Sequence, residues 1–188
     1  DLPLIKKISE TKKPVIISTG MASLKEIEEA IKILKGKNNF IILYCVTNYP
    51  AKFEDFNLYN IKILKKKFNC FVGLSDHSND NSIASLSVGM GAKIFEKHVA
   101  LKNQPKSFDY DFSLKGEEIS GFAKTIKDAW KAIQKGKYNV SSSQEIMKKY
   151  RRSIFITKKV SKNEEIAKNN IKVLRPNGKG LEPKYYDR

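Results

Sequence analysis

Four short apolar runs, separated by segments of helical spacing, organise the first hundred residues of this chain. The runs lie at Val15 to Ser18, Phe40 to Cys45, Cys70 to Leu74 and Lys93 to Phe95. Each run has the length of a buried strand. Fully apolar strands that alternate with helices every 25 to 30 residues or so indicate a parallel sheet covered by helices. The sequence therefore predicts an α/β fold in which four strand–helix units form half of an eight-stranded barrel.

The helical segments carry their own start signals. Ser23 followed by Glu26 forms a capping box, and the apolar residues that follow share one helix face up to Leu34. We predict helices at Ser23 to Leu34, Leu58 to Lys67, Asn81 to Gly89 and Gly116 to Lys135, the last of them covering the side of the barrel.

Beyond residue 136 the composition becomes polar, with three consecutive serines at Ser141 to Ser143. This stretch predicts a linker over residues 137–150, between a barrel domain at 1–136 and a second domain at 151–188. Two strand-like runs, Ser153 to Thr157 and Ile171 to Leu174, indicate that the second domain is small, β-rich and incomplete.

The formal charge of +16 raises the question of nucleic-acid binding. Nearly all of the cations are lysines, and they are spread along the chain instead of forming one stripe, so we expect solvated faces and no nucleic-acid partner. We also expect neither a membrane span nor a signal peptide, because no long apolar window or basic leader is present. Cys45 and Cys70 are isolated cysteines that predict buried thiols in a reducing compartment, here the cytoplasm.

The two histidines of the chain both follow predicted strands. His77 ends the stretch GLSDH and His98 ends KIFEKH. In a βα barrel the carboxyl ends of the strands form the active-site face, so neighbouring strands should bring the two imidazoles together. Two imidazoles with nearby carboxylates suit a divalent metal ion that keeps open positions for water or substrate. Asp76 either orients the imidazole beside it or caps the next helix, and the sequence does not separate these roles.

Other polar residues also follow strands. Ser18, beside Thr19 and before Gly20, suits a phosphate or carboxylate, although the same features make an ordinary strand-to-helix turn. Thr47 and Tyr49 follow the second strand, where the tyrosine either hydrogen-bonds a sugar or plugs the barrel rim.

Arg175 precedes Pro176 in a chain that is poor in arginine. Its guanidinium suits a carboxylate or phosphate, with a plain surface role as the alternative.

Taken in order, several segments resemble the motif series of the sialic acid synthase family. The segments are KPVIISTGM, CVTNYPAKFEDFNL, GLSDHS, GAKIFEKH, RRSIFI and IKVLRPNGKGLEPKYY. The resemblance implies a (β/α)8 TIM barrel followed by a small antifreeze-protein-like (SAF) domain, of which this chain would hold the C-terminal barrel half, from strand five onward, and a truncated SAF domain. It also implies a domain-swapped homodimer in which the small domain covers the partner's site. We expect the chain alone to be inactive.

The resemblance assigns roles to individual residues. It implies that His77 and His98 are metal ligands and catalytic together with Asp109, with Asp111 as the rival if the alignment slips by two positions. The metal expected from the family is Mn²⁺, with Mg²⁺ or Co²⁺ as alternatives. The substrate-binding residues that we carry over are Ser18, Thr47, Tyr49, Ser75, Glu96 and Arg175.

The implied reaction condenses phosphoenolpyruvate with an amino sugar to give a nonulosonic acid and phosphate. Carbon three of phosphoenolpyruvate attacks the sugar aldehyde with a metal as Lewis acid, then water adds and phosphate leaves. Asp109 to Leu114 reads DYDFSL, which resembles pseudaminic acid synthases and favours a 2,4-diacetamido-trideoxy hexose as substrate. Glycines that usually precede this aspartate are missing. The alternatives are neuraminate or legionaminate synthesis, or a non-catalytic carbohydrate-binding remnant of the family.

Overall fold

A computed structural model of the chain describes residues 1–104, 106, 108–133, 138–176 and 180–187. The chain divides into two compact units, Asp1–Gln134 and Lys135–Arg188. No helix in the described parts of the chain is long and apolar enough to cross a membrane.

The first unit is a parallel sheet with helices between its strands. Its strands are paired in the order β1-β2-β3-β4. Its elements are α1 (Leu2–Glu10), β1 (Val15–Ser18), α2 (Leu24–Leu34), β2 (Phe40–Cys45), α3 (Tyr59–Phe68), β3 (Phe71–Asp76), α4 (Asn81–Met90), β4 (Phe95–Lys97), β5 (Val99–Ala100), β6 (Leu114–Lys115) and α5 (Glu117–Ala132).

The register of the strands separates the sheet into two faces. Ile42 pairs with both Ile17 and Val72, and this row faces the helices. The core there contains buried residues of α2, β2, α3, β3 and α4, namely Ile31, Leu34, Ile42, Tyr44, Ile61, Leu64, Val72, Leu74 and Ile83. On the opposite face, which we call the inner face, Ile16 and Phe71 are 58% and 64% exposed. A parallel sheet normally has both faces covered, so the inner face is the unusual one.

The predicted strands β1 and β2 agree with the structure, and β3 and β4 are shifted toward the C-terminus. β4 was expected at Lys93 to Phe95 but runs to Lys97, although the amide of Lys93 already donates to the carbonyl of Val72 at 2.8 Å. Ser23 caps α2 with the predicted capping box to Glu26. The helix expected at Gly116 to Lys135 is α5, and residues 134 and 135 lie outside the described residues.

The sequence did not predict three of the elements given above for the first unit, namely α1, β5 and β6. The helix α1 begins after Asp1, whose side chain accepts the amide hydrogen of Leu4, with Pro3 in its first turn. The short strand β6 pairs in parallel with β5, which directly follows β4 and His98. The first unit therefore has the four-stranded sheet that was expected and, in addition, a separate two-stranded parallel pair.

Gly73 allows the backbone of β3 to lie close to the backbone of the segment before β4. A Cβ atom at this position would lie 2.2 Å from the carbonyl oxygen of Ile94 and 2.6 Å from a methyl carbon of Leu43. Only a residue without a side chain fits there. The close backbone approach brings the ends of β3 and β4 together.

The second unit contains α6 (Ser142–Met147) and an antiparallel pair of strands, β7 (Ser153–Ile156) and β8 (Ile171–Leu174). The stretch at residues 137–150 had been predicted as a linker, and its residue 137 lies outside the described residues. There the structure has α6, capped by Ser141 with a capping box to Gln144, and a 3₁₀ turn at Lys148–Tyr150. The serine run starts a helix, since the Ser141 hydroxyl accepts the backbone N–H of Gln144 at the helix N-terminus.

Candidate functional site

The carboxyl ends of β2, β3 and β4 bring polar side chains to the inner face. Ser75 pairs in register with Cys45 and with Glu96, so these three residues form one row across the sheet. Residues two positions further along each strand follow the same direction, which places Thr47, His77 and His98 beyond that row.

The two histidines meet as the sequence predicted. Their ring centroids are 5.3 Å apart in an edge-on arrangement. His77 is buried, with 5% of its surface exposed, whereas the His98 side chain is 35% exposed. One imidazole of the pair is therefore buried, and the other is partly exposed to solvent.

The hydrogen bonds of His77 determine its tautomer. Its Nδ1 lies 2.7 Å from the carbonyl oxygen of Val46, which can only accept, so Nδ1 carries the hydrogen. Nε2 lies 3.3 Å from the Ser75 hydroxyl, but that hydroxyl donates its single hydrogen to Glu96 Oε1 at 2.6 Å. The lone pair of Nε2 is therefore left for another ligand, which is the arrangement that a metal-binding histidine needs.

Aromatic rings surround the two imidazoles. The Tyr49 ring lies 4.3 Å from the His77 ring and 5.9 Å from the His98 ring, between centroids. Phe112 lies 5.2 Å from His98 and 5.4 Å from Tyr49. Phe112 was not among the predicted site residues, although it belongs to the DYDFSL stretch and lies just before β6. Tyr49 and Phe112 give the site an apolar wall next to the two imidazoles.

The loop that carries Tyr49 is held by Asp55. The Asp55 carboxylate accepts the backbone N–H of Lys52 at 2.9 Å and the amide of Asn48 at 3.0 Å. These two hydrogen bonds, first the one from the Lys52 backbone and then the one from Asn48, lower the pKa of Asp55 below its usual value. The carboxylate form thus stabilises the loop conformation that places the Tyr49 ring against His77.

Asp109, and not its rival Asp111, lies beside His98. Its Oδ2 is 3.5 Å from His98 Nδ1, and both side chains are partly exposed. Asp109 has a left-handed backbone conformation with φ of 60°, and its carbonyl accepts the Ser113 hydroxyl at 2.6 Å. Asp111 instead lines a separate depression that includes Asp80 and Glu118.

Ser18 and Thr47 lie toward the open side of the sheet. Both are exposed, and neither side chain makes a hydrogen bond within the described part of the chain. The Thr47 hydroxyl lies close to Gly20, since a Cβ there would be 3.3 Å from it. Arg175 is exposed and follows β8 in the second unit. Within the first unit, the structure thus brings together His77, His98, Asp109, Tyr49, Ser75 and Glu96.

Asp76 makes neither of the two direct contacts that the sequence left open, with the His77 imidazole or with the start of the next helix. It pairs with Lys97 across the sheet, on the helix-facing side, and its Oδ1 accepts the amide and the hydroxyl of Ser78 at 2.9 and 2.7 Å. The imidazole of His77 is oriented by Val46, and α4 is capped by Asp80. Alternation along the strand explains this, because adjacent residues point to opposite faces.

His77 and His98 are the two imidazoles at this site that a metal ion could contact. Among the described residues no group of three or more His, Cys, Asp or Glu side chains could hold a metal ion. The described thiols do not contribute, since Cys45 is free, buried and accepts the amide of Gly20, and Cys70 is free and only half-buried. Burial raises the pKa of the Cys70 thiol.

Sequence comparison relates the chain to known synthases. Residues 1–138 match the NeuB family. The chain is 35% identical to the pseudaminic acid synthase of Campylobacter jejuni subsp. jejuni over 188 residues, covering 99% of this chain and 54% of that protein. It is also 35% identical to the N,N'-diacetyllegionaminic acid synthase of the same strain over 181 residues, covering 94% of this chain and 54% of that protein.

A solved structure supports the same relationship. The crystal structure of N-acetylneuraminic acid synthetase from Leptospira borgpetersenii serovar Hardjo-bovis, in complex with citrate, superimposes with a TM-score of 0.70 at 34% identity. The match covers 77% of this chain and 51% of that one. The chain spans about half the length of the curated relatives it matches. On the family match over residues 1–138 and on relatives that cover nearly its whole length, this chain belongs to the NeuB family.

Proposed function

We propose that the natural protein containing this chain condenses phosphoenolpyruvate with a 2,4-diacetamido-trideoxy hexose to form a nonulosonic acid and phosphate. The observation that carries this proposal is the meeting of His77 and His98 on the inner face, with the Nε2 lone pair of His77 left without a donor among the described residues. A non-catalytic carbohydrate-binding protein would not need two adjacent imidazoles of this kind. The names of the relatives, which are synthases of this class, point the same way.

His77 and His98 are the residues that would hold a divalent metal, with Mn²⁺ as the first candidate and Mg²⁺ or Co²⁺ as alternatives. Imidazole nitrogens suit several divalent ions, and two protein ligands leave positions for water and substrate. A metal bound there would supply Lewis-acid polarisation of the sugar aldehyde. Asp109, 3.5 Å from His98 Nδ1, would hold that ring in place.

The other residues of the site would bind and orient the two substrates. Glu96 Oε1 accepts from Ser75, which leaves Glu96 Oε2 to accept a sugar hydroxyl. The Tyr49 and Phe112 rings would exclude water from one side and pack against the apolar face of the sugar. Ser18 and Thr47 would donate to the anionic groups of phosphoenolpyruvate.

In the reaction, the enol double bond of phosphoenolpyruvate supplies the electron pair for the new bond from its carbon three to the aldehyde carbon. The aldehyde oxygen takes up a proton and becomes a hydroxyl. Water then adds at carbon two, and the carbon–oxygen bond to phosphate breaks. Holding both substrates in this geometry is the contribution that the side chains of the site can make.

The remaining parts of the proposal concern regions outside the site. If the chain begins at strand five of an eight-stranded barrel, other barrel strands of the natural protein would cover Ile16 and Phe71. The second unit would be part of an antifreeze-like domain, and Arg175 would reach the partner's site in a homodimer.

Phosphate release by the complete natural protein with phosphoenolpyruvate and Mn²⁺ tests the proposal. Three sugars should be compared, namely the 2,4-diacetamido altrose, the 2,4-diacetamido mannose and N-acetylmannosamine. We expect release with the altrose derivative. Preference for another sugar would keep the reaction and change the substrate, consistent with the equal identity to a legionaminic acid synthase. Release with none of the three would favour a carbohydrate-binding role.

A further inference from the structure

We propose that Asp76 and Lys97 are positioning residues, which set the distance between His77 and His98 from the opposite face of the sheet. The inference rests on the proposed function in one respect, namely that the two histidines act as a pair toward one metal ion. Neither Asp76 nor Lys97 touches the inner face. Their effect on the site would pass through the backbone of the residues that follow them.

The register of the sheet makes this coupling direct. Asp76 and Lys97 are the last residues that pair between β3 and β4. His77 and His98 come one residue later on each strand, beyond the paired backbone. The Asp76–Lys97 contact is therefore the final cross-strand connection before the two imidazoles.

The Lys97 ammonium holds both neighbours of His77. Its Nζ lies 3.1 Å from Asp76 Oδ2 and also donates to the carbonyl oxygen of Ser78. The residue before His77 and the residue after it are thus fixed by one side chain, and that side chain belongs to the residue before His98. A shift of Lys97 would change the backbone on both sides of His77.

The surroundings of Lys97 keep its side chain in one place. The side chains of Lys97 and Asp76 are 5% and 0% exposed. The Phe122 ring of α5 lies under the ammonium, 5.8 Å from Nζ to its centroid. Asp76 Oδ1 is committed to the amide and hydroxyl of Ser78, and Oδ2 touches Nζ as an ion pair without hydrogen-bond geometry, since it has no hydrogen-bond partner in the described residues.

Stability alone does not explain a charged pair at this position. Taking two charges out of water costs about as much as their attraction returns, and apolar pairs of similar size are often as stable or more so. An apolar pair, however, has no preferred direction and no contact with the Ser78 carbonyl. The ion pair is best explained by the geometry it imposes on the ends of β3 and β4.

Two double variants of the complete natural protein test this. Asp76→Asn with Lys97→Met removes both charges and keeps an acceptor for Ser78, and Asp76→Leu with Lys97→Leu replaces the pair by apolar side chains. Lys62→Met, on the exposed face of α3, is the matched control for loss of one lysine. Each protein is measured for thermal unfolding, for Mn²⁺ affinity by electron paramagnetic resonance, and for the separation of the His77 and His98 rings by crystallography.

We expect both double variants to unfold within about 5 °C of the wild type, since the pair is not needed for stability. Their rings should move from the 5.3 Å separation, and Mn²⁺ affinity should fall about 10- to 100-fold. Lys62→Met should match the wild type in all three measurements. The leucine pair decides the question if the asparagine–methionine pair does not fold.

A folded double variant with unmoved rings and wild-type Mn²⁺ affinity would overturn the proposal. The ring separation also keeps the inference distinct from the proposed function. If the wild type releases no phosphate with any sugar, the synthase proposal fails, whereas the crystallographic comparison still shows whether the ion pair positions the histidines.

Discussion

The two edges of the inner face differ in how far the chain itself organises them. At the β3–β4 edge, Ser75 is hydrogen-bonded to Glu96 and His77 to Val46, and the two imidazoles are in ring contact. At the β1–β2 edge, Ser18 and Thr47 are exposed and make no side-chain hydrogen bond to other described residues. The side chains at the β3–β4 edge are thus already held in place, whereas those at the β1–β2 edge are two hydroxyls that no described side chain or backbone group holds.

This difference indicates which part of the site is intrinsic to the chain. Groups at the ends of β3 and β4 that hydrogen-bond to neighbouring strands, as Ser75 and His77 do, should keep their geometry whatever covers the inner face. Hydroxyls without partners should acquire their geometry only with a ligand or a neighbouring element. Substitutions at the first edge should therefore have larger and more specific effects than those at the second.

The largest effect is expected for His77→Ala. Loss of this buried imidazole should lower the rate of phosphate release by the complete protein more than about 100-fold. The reason is that loss of a residue that only supports a metal ligand already costs about 10- to 100-fold, and His77 would be the ligand itself. Steady-state kinetics with phosphoenolpyruvate, sugar and Mn²⁺ would measure it. Activity within tenfold of the wild type would show that the β3–β4 edge does not carry the reaction.

Gly73→Ala should disturb the same edge through its backbone. The added Cβ would clash with the Ile94 carbonyl, which cannot move without shifting β4, so we expect a loss of about 1–3 kcal/mol in the free energy of unfolding. Chemical denaturation measures this. Gly121→Ala in α5 is the control, because a Cβ there meets nothing within 4 Å, and it should not destabilise the protein. Equal stability of both variants would contradict the close approach.

Glu96→Gln tests the hydrogen bond from Ser75. Replacing an ionised acceptor by a neutral one weakens a short charge-assisted hydrogen bond. We therefore expect kcat/KM for the sugar substrate to fall about tenfold. Glu54→Gln, outside the contacts of the site, is a suitable control. An unchanged kcat/KM would mean that Glu96 only supports Ser75 structurally.

The sequence predicted the part of the site that follows from strand periodicity. His77 and His98 were expected to meet because both follow strands of one parallel sheet, and they do. Helix α2 was also predicted with its cap, since Ser23 and Glu26 form a local signal that needs no tertiary contact.

What the sequence did not predict depends on contacts between distant segments. Strand β6 has two residues, too few for a periodic pattern, and exists only through its pairing with β5. That pairing brings Phe112, two residues before β6, to His98. Strand alternation places the Asp76 side chain on the helix-facing side of the sheet, and this could have been predicted. Its pairing with Lys97 depends on the register between β3 and β4.

At the β1–β2 edge, Ser18→Ala should have a modest effect. Because this hydroxyl has no partner in the described chain, the variant should keep wild-type stability and raise the KM for phosphoenolpyruvate only about three- to tenfold, as expected for one neutral hydrogen bond. A thermal melt and initial-rate kinetics suffice. A loss as large as that of His77→Ala would remove the distinction between the two edges.

The smallest effect is expected for Asp55→Asn, which loosens the loop that carries Tyr49. The pKa of Asp55 is lowered in the folded protein by the Lys52 backbone and Asn48, so its contribution is present above the unfolded pKa and is lost as pH falls through the folded one. The variant should melt slightly lower at neutral pH, and the difference should vanish in strong acid. A difference that does not depend on pH would contradict this origin.

The measurement that tests the central claim most directly is Mn²⁺ binding to the complete natural protein, followed by electron paramagnetic resonance. Wild type, His77→Ala, His98→Ala and Ser18→Ala should be compared. The account predicts one bound ion in the wild type and in Ser18→Ala, and loss of that ion in both histidine variants. Equal Mn²⁺ affinity in all four proteins would contradict a metal site built from the two histidines at the ends of β3 and β4.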